Sequence, residues 1–71
     1  MKKVTLFVNR DITYIDLGQD PCYCEVVAAN VLSITHDGDG YVVATDYINP
    51  YSSRKAQFFL SRENFAKLQL F

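Results

Sequence analysis

Val31-Leu32-Ser33-Ile34-Thr35-His36-Asp37-Gly38-Asp39-Gly40-Tyr41-Val42-Val43-Ala44-Thr45 is the stretch on which the fold turns. Residues 31–35 and 41–45 are rich in β-branched side chains, which restrict χ1 and suit a pleated strand. Between them His36–Gly40 holds two Asp-Gly pairs, which supply the positive φ that a tight hairpin turn requires. The reading is a β-hairpin.

Towards the N-terminus, the even positions Cys22, Cys24, Val26, Ala28, Leu32 and Ile34 are apolar, with only Asn30 interrupting. This predicts a long strand over 22–35 with a bulge near Asn30. Asp20-Pro21 is also a helix start, an N-cap followed by proline at the first position, so a helix over 21–30 is the alternative. Further out, Val4, Leu6 and Val8 alternate with Lys3, Thr5, Phe7 and Asn9. After the polar turn Asn9-Arg10-Asp11, Ile12–Leu17 alternates again, and the two runs form an N-terminal hairpin. Gly18-Gln19-Asp20-Pro21 breaks that pattern.

Towards the C-terminus, Asn49-Pro50-Tyr51-Ser52-Ser53 is a loop, because Pro50 cannot donate to a ladder. Gln57–Leu60 is a strand. Ser61 caps a helical turn over Arg62–Phe65. Lys67-Leu68-Gln69-Leu70-Phe71 is either a closing strand or a helix tail. The whole is one small, mainly β domain over 1–71, a small antiparallel barrel or curved sheet of about five strands, since closure removes exposed edges. In element order alone it resembles an SH3-like barrel, where a short helical turn precedes the last strand. With 21–30 helical, the fold becomes α+β, one helix on a four-stranded sheet.

At 71 residues the chain has no room for a Rossmann unit, a P-loop domain or a barrel enzyme. No apolar run exceeds four residues, as in Val26-Val27-Ala28-Ala29, far short of the roughly 20 residues of a membrane helix. Val4–Val8 is too short for the apolar region of a signal peptide, and two cysteines fit a reducing cytoplasm. The formal charge of −1 is unevenly spread. From Asp11 to Asp46 there are seven acidic residues and no Lys or Arg, while both ends are basic. A general nucleic-acid binder would be basic overall.

Thr35–Asp46 resembles an EF-hand loop, with Asp37, Asp39 and Gly40 in place. Thr35 opens it and Asp46 closes it where Asp and Glu belong, and Pro50 forbids the helix that should follow. A hairpin turn is the better account. Cys22 and Cys24 share one strand face; zinc wants four ligands, and His36 is the only histidine. Two core cysteines are expected, with no metal and no cofactor. Catalysis is not expected either: Ser33, Ser52, Ser53 and Ser61 stand in no motif with His36.

The functional expectation is a non-enzymatic protein-binding domain, a small accessory or inhibitor protein of the kind that phages and mobile elements encode. Its face would combine Asp37, Asp39 and Asp46 with the tyrosines Tyr41, Tyr47 and Tyr51, since tyrosine is a large, stiff interface anchor. The partner would be basic, such as a nucleic-acid-handling protein, steered by the acidic block. The alternative is a small-barrel nucleic-acid-binding module using Tyr51, Arg54, Lys55 and Arg62 as a stacking and phosphate platform. A homodimer through an unpaired edge such as Lys2–Asn9 is also open.

Overall fold

The computed structural model of the chain describes residues 2–21 and 23–71. It is mainly β: β1 (Lys3–Val8), β2 (Thr13–Ile15), β3 (Glu25–Asp37), β4 (Gly40–Ile48) and β5 (Lys55–Ser61), followed by the short helix α1 (Arg62–Lys67). All pairings are antiparallel, in the order β2-β1-β3-β4-β5, and the sheet curls into a nearly closed barrel.

The 13-residue β3 makes the curl. Its first half pairs with β1, Lys3 opposite Asn30 and Val8 opposite Glu25. Its second half pairs with β4, Thr35 opposite Val42 and Asp37 opposite Gly40. Between them the register slips at Val31/Ser33, leaving Leu32 as an extra residue. A bulge of this kind bends the strand and reverses which parity faces inward. Val27, Ala29 and Val31 pack on the core before it, and Ile34 and His36 oppose the inward residues Val43 and Tyr41 after it. The expected apolar face of even positions is therefore not the buried one: Val26 and Ala28 lie outside. The 21–30 helix does not form. β1 supplies backbone partners to 25–30, and ladder pairing outweighs the Asp20-Pro21 start signal.

The turn of the β3–β4 hairpin is Gly38-Asp39, with Gly38 at φ +59°. Only the first turn residue has positive φ, the pattern of a turn led by glycine. The N-terminal hairpin is shorter than its sequence suggests, because Asn9 Oδ1 accepts from the Asp11 and Ile12 N–H groups and Asp16 Oδ1 accepts from that of Gly18. These side chains end the ladder on both sides of Thr13–Ile15.

The core is Val4, Leu6, Val8, Ile15, Ala29, Val43, Ala56 and Leu60. Ser61 caps α1, its hydroxyl accepting from the Asn64 N–H at 3.2 Å. The helix brings Phe65 onto Tyr41, ring centroids 4.0 Å apart, and Leu68 and Leu70 onto the core. Phe71 then exchanges both backbone hydrogen bonds with Lys3, at 2.8 and 3.0 Å. The last residues form no strand of the sheet, but Phe71 pairs with the start of β1 and helps close the barrel. The edge expected at Lys2–Asn9 does not exist: β1 lies between β2 and β3. The free edges of the sheet are those of β2 and β5.

Candidate functional site

Alternation decides which β4 side chains meet solvent. Val43 and Thr45 are fully buried, so Tyr41 and Tyr47 point inward with them. Tyr41 is held between Phe65 and His36, whose ring centroid lies 5.0 Å away, and Tyr47 packs on the core. Both are built into the barrel. The outer face carries Val42, Ala44, Asp46 and Ile48 instead.

Register extends that face across the neighbouring strands. Val42 lies between Thr35 and Phe59, Ala44 between Ser33 and Gln57, and Gly40 between Asp37 and Ser61. Phe59 is 64% exposed. Its ring lies over Gly40: a Cβ there would sit 2.7 Å from Phe59 Cζ and 2.6 Å from the Leu60 carbonyl oxygen. The missing side chain of Gly40 leaves room for the tip of the aromatic ring. An apolar stripe of Val42, Ala44 and Phe59 results. Asp37 and Asp39 stand at its hairpin end, and Asp46 at the other.

Asp46 is fixed in place. Its carboxylate accepts from the Asn30 backbone N–H at 3.0 Å and from the Asn30 side-chain amide at 2.7 Å. These hydrogen bonds, the side-chain amide first, hold its pKa below the ordinary aspartate value. They also tie β4 to β3 just before the bulge.

Tyr51 is exposed in the loop after β4. It sits beyond the far end of the nine-residue β4 from Asp37 and Asp39, roughly 25 Å along the strand. The six expected residues therefore divide: three acidic residues border the outer face, two tyrosines lie inside and one lies beyond the opposite end. Among the residues of the alternative set, Tyr51, Arg54 and Lys55 share the 49–55 region, while Arg62 begins α1 at the other end of β5. Cys22 lies outside the described residues. Cys24 and His36 stand at opposite ends of β3, too far apart to share an ion, and the described residues hold no group of three or more potential metal ligands. The Thr35–Asp46 segment is a hairpin arm, and its last carboxylate is committed to Asn30.

A slot of about 360 Å³ separates the two sheet edges, between Asp11–Thr13 on one side and Lys55–Phe58 on the other. Asn49 spans it. This side chain is 4% exposed. Its amide donates to Thr13 Oγ1 at 3.0 Å and its carbonyl accepts from the Tyr51 N–H at 2.8 Å. Arg54, Lys55, Ser52 and Gln57 also border the slot. Asn49 reads as a loop residue in the sequence, and nothing local reveals that it reaches β2, 36 residues away.

No family model matches the chain, and no curated protein or solved structure is significantly similar to it. No described helix is long and apolar enough to cross a membrane.

Proposed function

We propose that the chain is a non-enzymatic protein-binding domain that docks a basic protein partner on the outer face of β3, β4 and β5. The observation that carries this reading is Phe59, a large aromatic residue left 64% exposed on the outer face of the edge strand β5. Aromatic side chains in such positions are the commonest anchors of interfaces, and exposed apolar stripes with polar rims mark docking surfaces. Asp37, Asp39 and Asp46 form the rim here. Rim carboxylates steer a basic surface and set the association rate more than the final affinity. A nucleic-acid-handling protein or an enzyme with a cationic groove fits that chemistry as the partner of an accessory or inhibitory protein.

Capture from a cell lysate by the immobilised chain, at low and high salt, tests the reading when two variants run beside it. Phe59→Ser removes the anchor, and Asp37→Lys with Asp39→Lys reverses the rim. A protein retained by the parent at both salts, lost with Phe59→Ser and bound more slowly by the charge-reversed chain is the expected result. Equal retention by all three chains, or retention that disappears on nuclease treatment, contradicts it. The latter outcome would favour the nucleic-acid reading through Tyr51, Arg54 and Lys55.

A further inference from the structure

Main-chain groups of β5 can be sorted by the side they face. The Arg54 carbonyl accepts from the Asn49 N–H, the Ala56 carbonyl accepts from the Thr45 hydroxyl, and the Leu60 carbonyl points at Gly40. Residues 54, 56 and 60 therefore face β4. In an extended strand the intervening residues face the other way, so the N–H and C=O groups of Lys55, Gln57 and Phe59 give onto the open edge. Among the described residues none of them has a partner there. Across the slot β2 is open only in part, because the outward Ile15 carbonyl accepts from the Gln19 side-chain amide at 3.1 Å. The Ile12 carbonyl and the Asp16 N–H are used by Asn9 and Thr5 of the β1 side, which turns the backbone of Thr13 towards β5. The open edge of β5 thus borders a slot whose far side is the Thr13 end of β2.

An unpaired edge invites another strand, and charge decides which. Arg54 and Lys55 stand at one end of β5 and Arg62 just past the other, against Asp11 and Glu63. A second copy pairing β5 on β5 about Phe58 would place Lys55 opposite Ser61, next to Arg62. In that register cations would face cations, which disfavours it, whereas pairing about Phe59 would set Lys55 opposite Glu63. An acidic strand meets no such barrier.

We infer that the free edge of β5 takes an extended acidic segment of a protein partner as an added strand, main chain to main chain at Lys55, Gln57 and Phe59, with acidic side chains meeting Arg54, Lys55 and Arg62. This surface differs from the outer face in both location and partner charge, and it stands or falls separately.

A capped six-residue peptide alternating Glu and Thr is a suitable probe, titrated into the ¹⁵N-labelled chain. Slowed exchange of the Lys55, Gln57 and Phe59 amides is expected, with binding roughly tenfold weaker for Arg54→Glu/Lys55→Glu or for the matching Lys-Thr peptide. Both substituted side chains are exposed, so the variant keeps its fold. A Glu-Thr peptide with one central proline lacks a main-chain donor and should bind poorly. No response at millimolar peptide overturns the inference. So does equal binding of the Lys-Thr or proline peptide, or displacement of the Glu-Thr peptide by oligo-dT. Phe59→Ser leaves the backbone edge intact, so it separates this site from the outer-face anchor.

Discussion

β1 and β5 both alternate, and both send one face into the core, yet their surroundings differ on every other side. β1 is flanked by β2 and β3, and even its outward Phe7 is buried. Tyr14 pairs beside Phe7, and a second cavity of about 240 Å³ there is bordered by Asn9, Gln19, Asp20, Pro21 and Cys24. β5 has a neighbour on one side only, and its outward Phe59 stays exposed. The same local pattern thus makes a sealed strand in one place and an accessible one in the other. Position in the sheet, rather than strand propensity, decides whether an outward side chain is sealed or open in this molecule.

The largest effect should come from breaking the sealed strand. Leu6→Ala deletes a fully buried side chain at the centre of the core and should cost about 2–5 kcal/mol in urea unfolding. Phe59→Ser should cost far less while removing binding. Equal destabilisation by the two would erase the distinction between the strands.

A smaller effect is expected where the ladder itself is irregular. The β4–β5 register shifts between Ala44 and Ile48, and Thr45, with no exposed surface, repairs the gap. Its hydroxyl donates to the Ala56 carbonyl at 2.8 Å and accepts from the Tyr47 N–H at 3.3 Å. Thr45→Val conserves shape and leaves both groups unpartnered, at a cost of about 1–3 kcal/mol. A neutral result would mean that water fills the position.

The smallest effect is electrostatic. Asp46 has its pKa lowered by Asn30, so its folded form binds a proton less readily than the unfolded chain. Its contribution is complete above the ordinary aspartate range near about 4 and is lost as pH falls through the lower folded value. Acid unfolding should therefore begin at higher pH in Asp46→Asn, where this contribution is missing, or the two proteins should differ in stability at neutral pH and converge in acid. A constant difference across the titration would deny the Asn30 interaction any role.

Much of this fold could be read from residues alone. Asp-Gly between two β-branched runs specified the hairpin, Ser61 marked the helix start, and strand order pointed to a small barrel. The candidate face was harder to read because β4 is apolar on both sides, with Val43 inside and Val42 and Ala44 outside. Alternation tied Tyr41 and Tyr47 to Val43 but could not say which set was buried. Phe58-Phe59 posed the same ambiguity, since one ring must point out. The answer came from distant elements: α1 places Phe65 on Tyr41, and the Leu32 bulge reverses the inward parity of β3. Asn49 was illegible for a like reason, its partner Thr13 lying on the opposite edge.

Amide hydrogen exchange of the unliganded chain, resolved residue by residue along β5, tests the open edge most directly. Ala56, Phe58 and Leu60 should exchange slowly, and Lys55, Gln57 and Phe59 quickly, an alternation that a strand with one neighbour must show. Uniform protection from Lys55 to Leu60 would mean that the edge is already covered, and would contradict the account.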